Sequence, residues 1–133
     1  MQDEVTVSNP RVIVVQKIYA HYLNKDSKIL FPKHKYRKFI KDVVNGSIER
    51  KDLIDESIDK HLKNDINENK TDLMVKIMIV AAIYEFMYMH RIPVKVIINE
   101  YLKVADLFVK DAQKSFLNAI LDKISKVARV ENI

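Results

Sequence analysis

The run "LMVKIMIVAAIYEFMYM", residues 73–89, constrains the fold more than any other part of the chain. It is apolar on every side of a helix, so it needs either a bilayer or a sheath of other helices. It is near the lower length limit for a span and carries Lys76 and Glu85, each costing about 2–3 kcal/mol in a bilayer. The run therefore reads as the central helix of a soluble helical protein. A chain of 133 residues is one domain's worth and can enclose a single core. One glycine, Gly46, and three prolines leave little for tight β-turns, so the fold class is all-α.

The flanking segments supply that sheath. "NPRVIVVQKIYAHYLN" (9–24) reads as a helix with Ser8 or Asn9 as cap and Pro10 in its first turn; its valines leave a short strand as the competing reading. "PKHKYRKFIKDVVNG" (32–46) reads as a helix that Pro32 opens and Gly46 closes. "SIERKDLIDESIDKHLKN" (47–64) carries an apolar stripe of Leu53, Ile54, Ile58 and Leu62. After the polar loop 65–70 come the central helix, a helix that Pro93 opens (93–108), and a last helix capped by Asp111 and running to about 127, with "ARVENI" frayed. The chain thus divides into a basic half, about 8–64, and an apolar half, about 70–128.

Catalytic chemistry finds no foothold in this pattern. One glycine cannot build a phosphate-cradling loop, and the absence of cysteine removes disulfides, thiolate metal sites and cysteine nucleophiles. His21, His34, His61 and His90 are scattered without metal-ligand spacing, and each reads as a surface or interhelical residue. No cofactor or metal is expected. The net charge of +5 favours a polyanionic partner, and missing cysteines with no signal peptide fit a cytoplasmic setting.

The stretch "IPVKVIINEYLKVADLFVKDAQKSFLNAILDK" (92–123) holds the features that regular packing leaves over. On the 93–108 helix, Val94, Ile97, Ile98, Tyr101, Ala105 and Phe108 share the face toward the central helix, and Asn99 is opposite. Glu100 falls beside Val96, Val104 and Leu107. That flank calls for a donor from a neighbouring helix, or for a partner protein. On the last helix Leu117, Ile120, Leu121, Ile124 and Val127 form the buried arc, and Phe116 stands at its edge. Such a ring suits either core packing or stacking on an unpaired base.

These residues also carry a resemblance. "IPVKVIINEYLKVADLF" followed by "KSFLNAILDK" resembles the signature of the NusB family of bacterial transcription antitermination factors. "LMVKIMIVAAIYEF", with its Ile83-Tyr84-Glu85-Phe86 run, is similar to the family's central helix. "RVIVVQKIY" is similar to its first helix, with Arg11, Gln16 and Tyr19 in matching places. The resemblance implies a compact NusB-like bundle of six to seven helices in two small packed subdomains. It implies binding to the boxA element of ribosomal RNA leader transcripts, in a heterodimer with NusE that helps RNA polymerase pass terminators.

Carried over by position, Phe116 is the RNA-contacting aromatic. Lys114 and Ser115 precede it, Asn118 belongs to the same motif, and Arg11 and Tyr19 match positions on the RNA- and partner-facing side of the first helix, where Lys17 is a further candidate RNA contact. Glu100 joins Tyr19 as a partner contact. Many relatives have an arginine cluster where this chain reads "TVSNP", a basic residue where it has Val80, and a glycine before the last helix. Lys33, Lys35, Arg37, Lys38 and Lys41, interleaved with Tyr36 and Phe39, offer compensating cations or simply a solvated face.

Two functional readings remain, an RNA-binding antitermination factor and an interaction module that keeps NusE but has lost useful RNA affinity. A ribosomal RNA methyltransferase, to which such domains are found fused, would need more chain than is present. The first helix, with Val12, Val15, Ile18, Tyr19 and Tyr22 on one side and Ile13 and Val14 elsewhere, could also serve a homodimer.

Overall fold

The computed structural model describes residues 9–67 and 70–131. Six helices run through them: α1 (Pro10–Leu23), α2 (Arg37–Glu49), α3 (Lys51–Leu62), α4 (Leu73–Tyr88), α5 (Val94–Phe108) and α6 (Asp111–Glu131). No strand occurs among the described residues, and no helix among them is long and apolar enough to cross a membrane.

Side-chain caps fix three of the helix starts among the described residues. Asn9 Oδ1 accepts from Arg11 N at 3.0 Å, with Pro10 at the position where a missing N–H costs nothing. The alternative cap, Ser8, lies outside the described residues. Asp72 Oδ1 accepts from Met74 N (2.8 Å) and Val75 N (3.3 Å) at the start of α4. At α6 the expected cap moves by one residue. Asp111 is the first helical residue, and Gln113 reaches back to accept from Lys110 N at 3.0 Å, one half of a capping box.

The run that demanded a sheath has one. α4 packs against all five other helices, and Val75 and the whole stretch Ile77–Phe86 are buried. Each fully enclosed Ile, Val or Met there contributes about 1.5–3 kcal/mol, enough to make α4 the axis of the fold. Both sequence halves feed one apolar core, from Val12 on α1 to Ala128 on α6. Leu117, Ile120, Leu121 and Ile124 are buried as expected, as are Ile97, Tyr101 and Ala105; Val94, Ile98, Phe108 and Val127 are half-buried.

Several sequence expectations are corrected. The 32–46 helix begins only at Arg37 and runs through Gly46 to Glu49. α3 then starts after the single residue Arg50, whose N donates to Gly46 O at 3.0 Å, so the bend is tight. Gly46 does not stop the helix. A Cβ there would collide with the Tyr84 ring, so the missing side chain lets α2 lie close against α4. Gly46→Ala is expected to lower stability by about 1–2 kcal/mol in a denaturant titration. Displacing Tyr84 costs more than the roughly 1 kcal/mol of added helix propensity recovers.

Leu53 is 53% exposed, so the α3 stripe narrows to Ile54 and Leu62 with Ile58 half-buried. The last helix does not fray at Ala128 but continues to Glu131. The apolar face of α1 offered for a homodimer is enclosed by the chain itself. Val12, Val14, Val15 and Ile18 have no exposure, Ile13 is buried, and only Tyr19 and Tyr22 remain half-buried.

Candidate nucleic-acid interface

The first turns of α6 carry four of the residues singled out, and the helix divides them between two sides. Phe116 is half-buried. It lines a recess with Ala112, Gln113, Val75 and, from the α3–α4 connection, Lys70 and Asp72. Asp65 lines the same recess and is held by Lys123 Nζ at 2.7 Å, which ties α6 to that connection. Lys114, Ser115 and Asn118 instead line a second recess with Leu102 and Asp111 on the α5 side. There Lys114 Nζ pairs with Asp106 Oδ1 at 2.7 Å, an exposed pair that holds the lysine by only about 0–1 kcal/mol.

The first-helix residues lie elsewhere. α1 makes no contact with α6. Tyr19 is half-buried against the core, and Lys17 lines a recess at the C-terminal end of α1 with His21, Asn24 and Lys28. Arg11 is not a surface residue at all, which corrects its reading as an RNA contact. It is buried, and its guanidinium grips Glu85 of α4, Nη2 to Oε1 at 2.6 Å and Nε to Oε2 at 3.0 Å. Tyr101 of α5 donates its hydroxyl to the same Oε2 at 2.5 Å, and Phe39 of α2 lies 4.8 Å beneath the guanidinium. Four helices therefore meet at one buried carboxylate.

Burial alone would weaken the Arg11 charge, but the hydrogen bond and charge of Glu85 outweigh it and hold the guanidinium protonated. Tyr101 is pushed well above its ordinary 10.0 by burial and then by the Glu85 charge. A group whose value rises on folding stabilises fully below its unfolded value and loses that contribution as pH climbs toward the folded one. Stability should therefore fall progressively above pH 10. Tyr22 and Tyr84, also raised by burial, act in the same direction. A series of urea midpoints should fall less steeply over that range in Tyr101→Phe than in the wild type.

The carboxylate expected to meet a neighbouring helix was Glu100, and the structure gives that role to Glu85. Glu100 is half-buried and is met by Lys103 of its own helix, at 3.1 Å. The flank beside it is open at Val96 (45% exposed) and Leu107 (47%) and closed at Val104, which is fully buried. The need at Glu85 could have been found from sequence, because an ionised group in a helix enclosed on all sides requires a cation. Which cation meets it is decided by the packing of α1 on α4.

The basic segment lies before and within the first turns of α2. Lys33, Lys35, Arg37 and Lys38 are exposed and Lys41 is half-buried. Lys35 Nζ is 5.4 Å from the Tyr36 ring, itself 48% exposed, while Lys41 Nζ is 6.0 Å from Phe31. Among the described residues, no cluster of three or more His, Cys, Asp or Glu side chains is arranged to hold a metal ion.

A model of the NusB family matches residues 8–126. The chain belongs to the NusB family. Transcription antitermination protein NusB of Rickettsia bellii is 33% identical over 118 residues, covering 84% of this chain and 73% of that protein. The protein of the same name from Caulobacter vibrioides is 31% identical over 91 residues, 68% and 61% of the two chains. The solved structure of T. maritima NusB aligns with a TM-score of 0.76 over 99% of this chain and 98% of that one. At 23% identity that likeness shows the fold. NusB proteins are transcription antitermination factors and not enzymes.

Proposed function

We propose that this NusB-family chain binds boxA-type single-stranded RNA of ribosomal RNA operon transcripts together with NusE. The pair would act in the cytoplasm as part of an RNA polymerase antitermination complex and support processive elongation. The observation that carries the reading is Phe116, a ring held half-buried at the lip of a recess. A base stacked there would gain about 1–3 kcal/mol, and the chain supplies position rather than catalysis. Lys114, Ser115 and Asn118 meet the backbone on the α5 side, where Lys114 can exchange Asp106 for a phosphate at little cost. Lys17 and Tyr19 belong to the α1 face, with Tyr19 and Glu100 as contacts for NusE. Arg11 supports this surface only from within, by fixing α1 on α4.

A second reading, a module that keeps NusE but binds RNA weakly, is favoured by Asp65 and Asp72 in the Phe116 recess. One is neutralised by Lys123 and the other caps α4. Titration of a boxA-containing RNA, with and without NusE and at several salt concentrations, separates the two. Phe116→Ala is expected to weaken sequence-preferring binding by roughly 5- to 150-fold, the equivalent of about 1–3 kcal/mol. Equally weak binding to any RNA, with NusE present, would leave the second reading.

A further inference from the structure

We infer that the start of α2 and the α4–α5 elbow form a second RNA-binding surface, which grips the phosphates and bases flanking the segment held at Phe116. The inference rests on the RNA-binding reading above and places a further part of the ligand.

The charge pattern is the first observation. Elsewhere on the surface several lysines are matched, Lys51 with Asp55, Lys103 with Glu100, Lys114 with Asp106, Lys123 with Asp65 and Lys126 with Asp122. Residues 32–41 contain five cations and no carboxylate, and among the described residues none of the five is ion-paired. Their mutual repulsion, and the helix dipole of α2 that opposes them, would be relieved by a polyanion.

The second observation is what adjoins them. An open groove between α2 and the elbow after α4 is lined by Lys38, Phe39, Asp42, Tyr88, Met89 and Arg91. Tyr88 is 36% exposed and carries Arg50 4.6 Å from its ring centroid. Tyr36, more exposed than any other tyrosine or phenylalanine, stands beside the lysines. Cations with interleaved aromatics suit a single strand, phosphates on the lysines and bases on the rings. An anionic membrane fits less well. Ile40, Val43 and Val44, the apolar face of α2, are fully enclosed and cannot enter a headgroup layer. α2 does not touch α6, and the groove shares no lining residue with the Phe116 recess, so the two are separate sites.

The test compares two labelled RNAs by fluorescence anisotropy, a boxA-type oligomer and the same oligomer extended by about ten flanking nucleotides, across a salt series. Lys35→Gln/Lys38→Gln/Arg91→Gln should weaken the extended RNA roughly tenfold to a hundredfold. It should also flatten the salt slope by about 2, at about 0.7 for each phosphate left without its cation. The short RNA should be nearly unaffected. Asp42→Asn, which removes the carboxylate lining the groove, should tighten the extended RNA a few-fold. Phe116→Ala should weaken both RNAs and leave the slope unchanged.

If the triple variant and Asp42→Asn match the wild type while Phe116→Ala weakens binding, the groove inference is overturned and the proposed function stands. If the triple variant weakens the extended RNA while Phe116→Ala does nothing, the groove stands and the stacking role fails. Wild-type protein that ignores both RNAs at low salt overturns both, and binding only to phosphatidylglycerol vesicles would assign the patch to a membrane.

Discussion

Glu85→Ala is expected to lower the unfolding free energy by about 3–5 kcal/mol, the largest loss expected of any single side-chain truncation at this junction. The carboxylate has no exposure and accepts from both Arg11 and Tyr101. Its removal leaves a guanidinium buried against Phe39 with no counter-charge and a phenol without its acceptor. The cost is therefore mainly that of the stranded partners. Arg11→Met/Glu85→Leu should recover most of the loss, because apolar residues of similar volume leave no charge behind. Guanidinium-chloride titrations of the single and double variants measure both. A single-variant loss below about 1 kcal/mol would mean that Arg11 escapes to water and that the four helices do not depend on this junction.

Arg129→Ala should follow, at about 2–3 kcal/mol. Its guanidinium reaches the carbonyls where α4 ends and the elbow turns, Phe86 O at 2.7 Å, Ile92 O at 3.1 Å and His90 O at 3.3 Å, with Glu85 O and Met89 O near its other nitrogen. A helix C-terminus leaves carbonyls without partners, and hydrogen bonds from a cation to such groups are worth about 1.5–3 kcal/mol. Arg129→Lys should restore only part of the stability, because one ammonium cannot span carbonyls that a planar fork joins. Thermal unfolding with hydrogen exchange at residues 86–92 tests this. Unchanged protection there would remove the capping role. The same contacts explain why α6 stays helical from Ala128 to Glu131, where the composition suggested fraying.

The readable part of the candidate site was Phe116, because an aromatic at the edge of a 3.6-residue arc is visible in one helix by itself. Its half-exposure follows from that edge position, and the small Ala112 beside it leaves the recess open. Lys114 and Phe116, only two residues apart, are turned about 200° from each other, so their separation into two recesses also follows from helix geometry. Arg11 misled for a different reason. A cation in the first turn of an exposed helix belongs on the surface, and only the approach of α4, bringing a carboxylate 74 positions away in sequence, makes it an interior residue. Gly46 misled similarly, since a glycine near a helix end ordinarily marks a stop, and here it marks a crossing.

By itself the sequence determined the all-α class, the central place of residues 73–88, the Asn9 and Pro93 starts, and most of the buried arcs of α5 and α6. Those properties depend on backbone groups and side-chain spacing within one helix. The tertiary structure alone decided that Glu85 pairs with Arg11, that Leu53 faces water, and that Arg129 closes α4. Each of these depends on the distance and angle between helices far apart in the chain, and that geometry is set by the packing of the whole core at once.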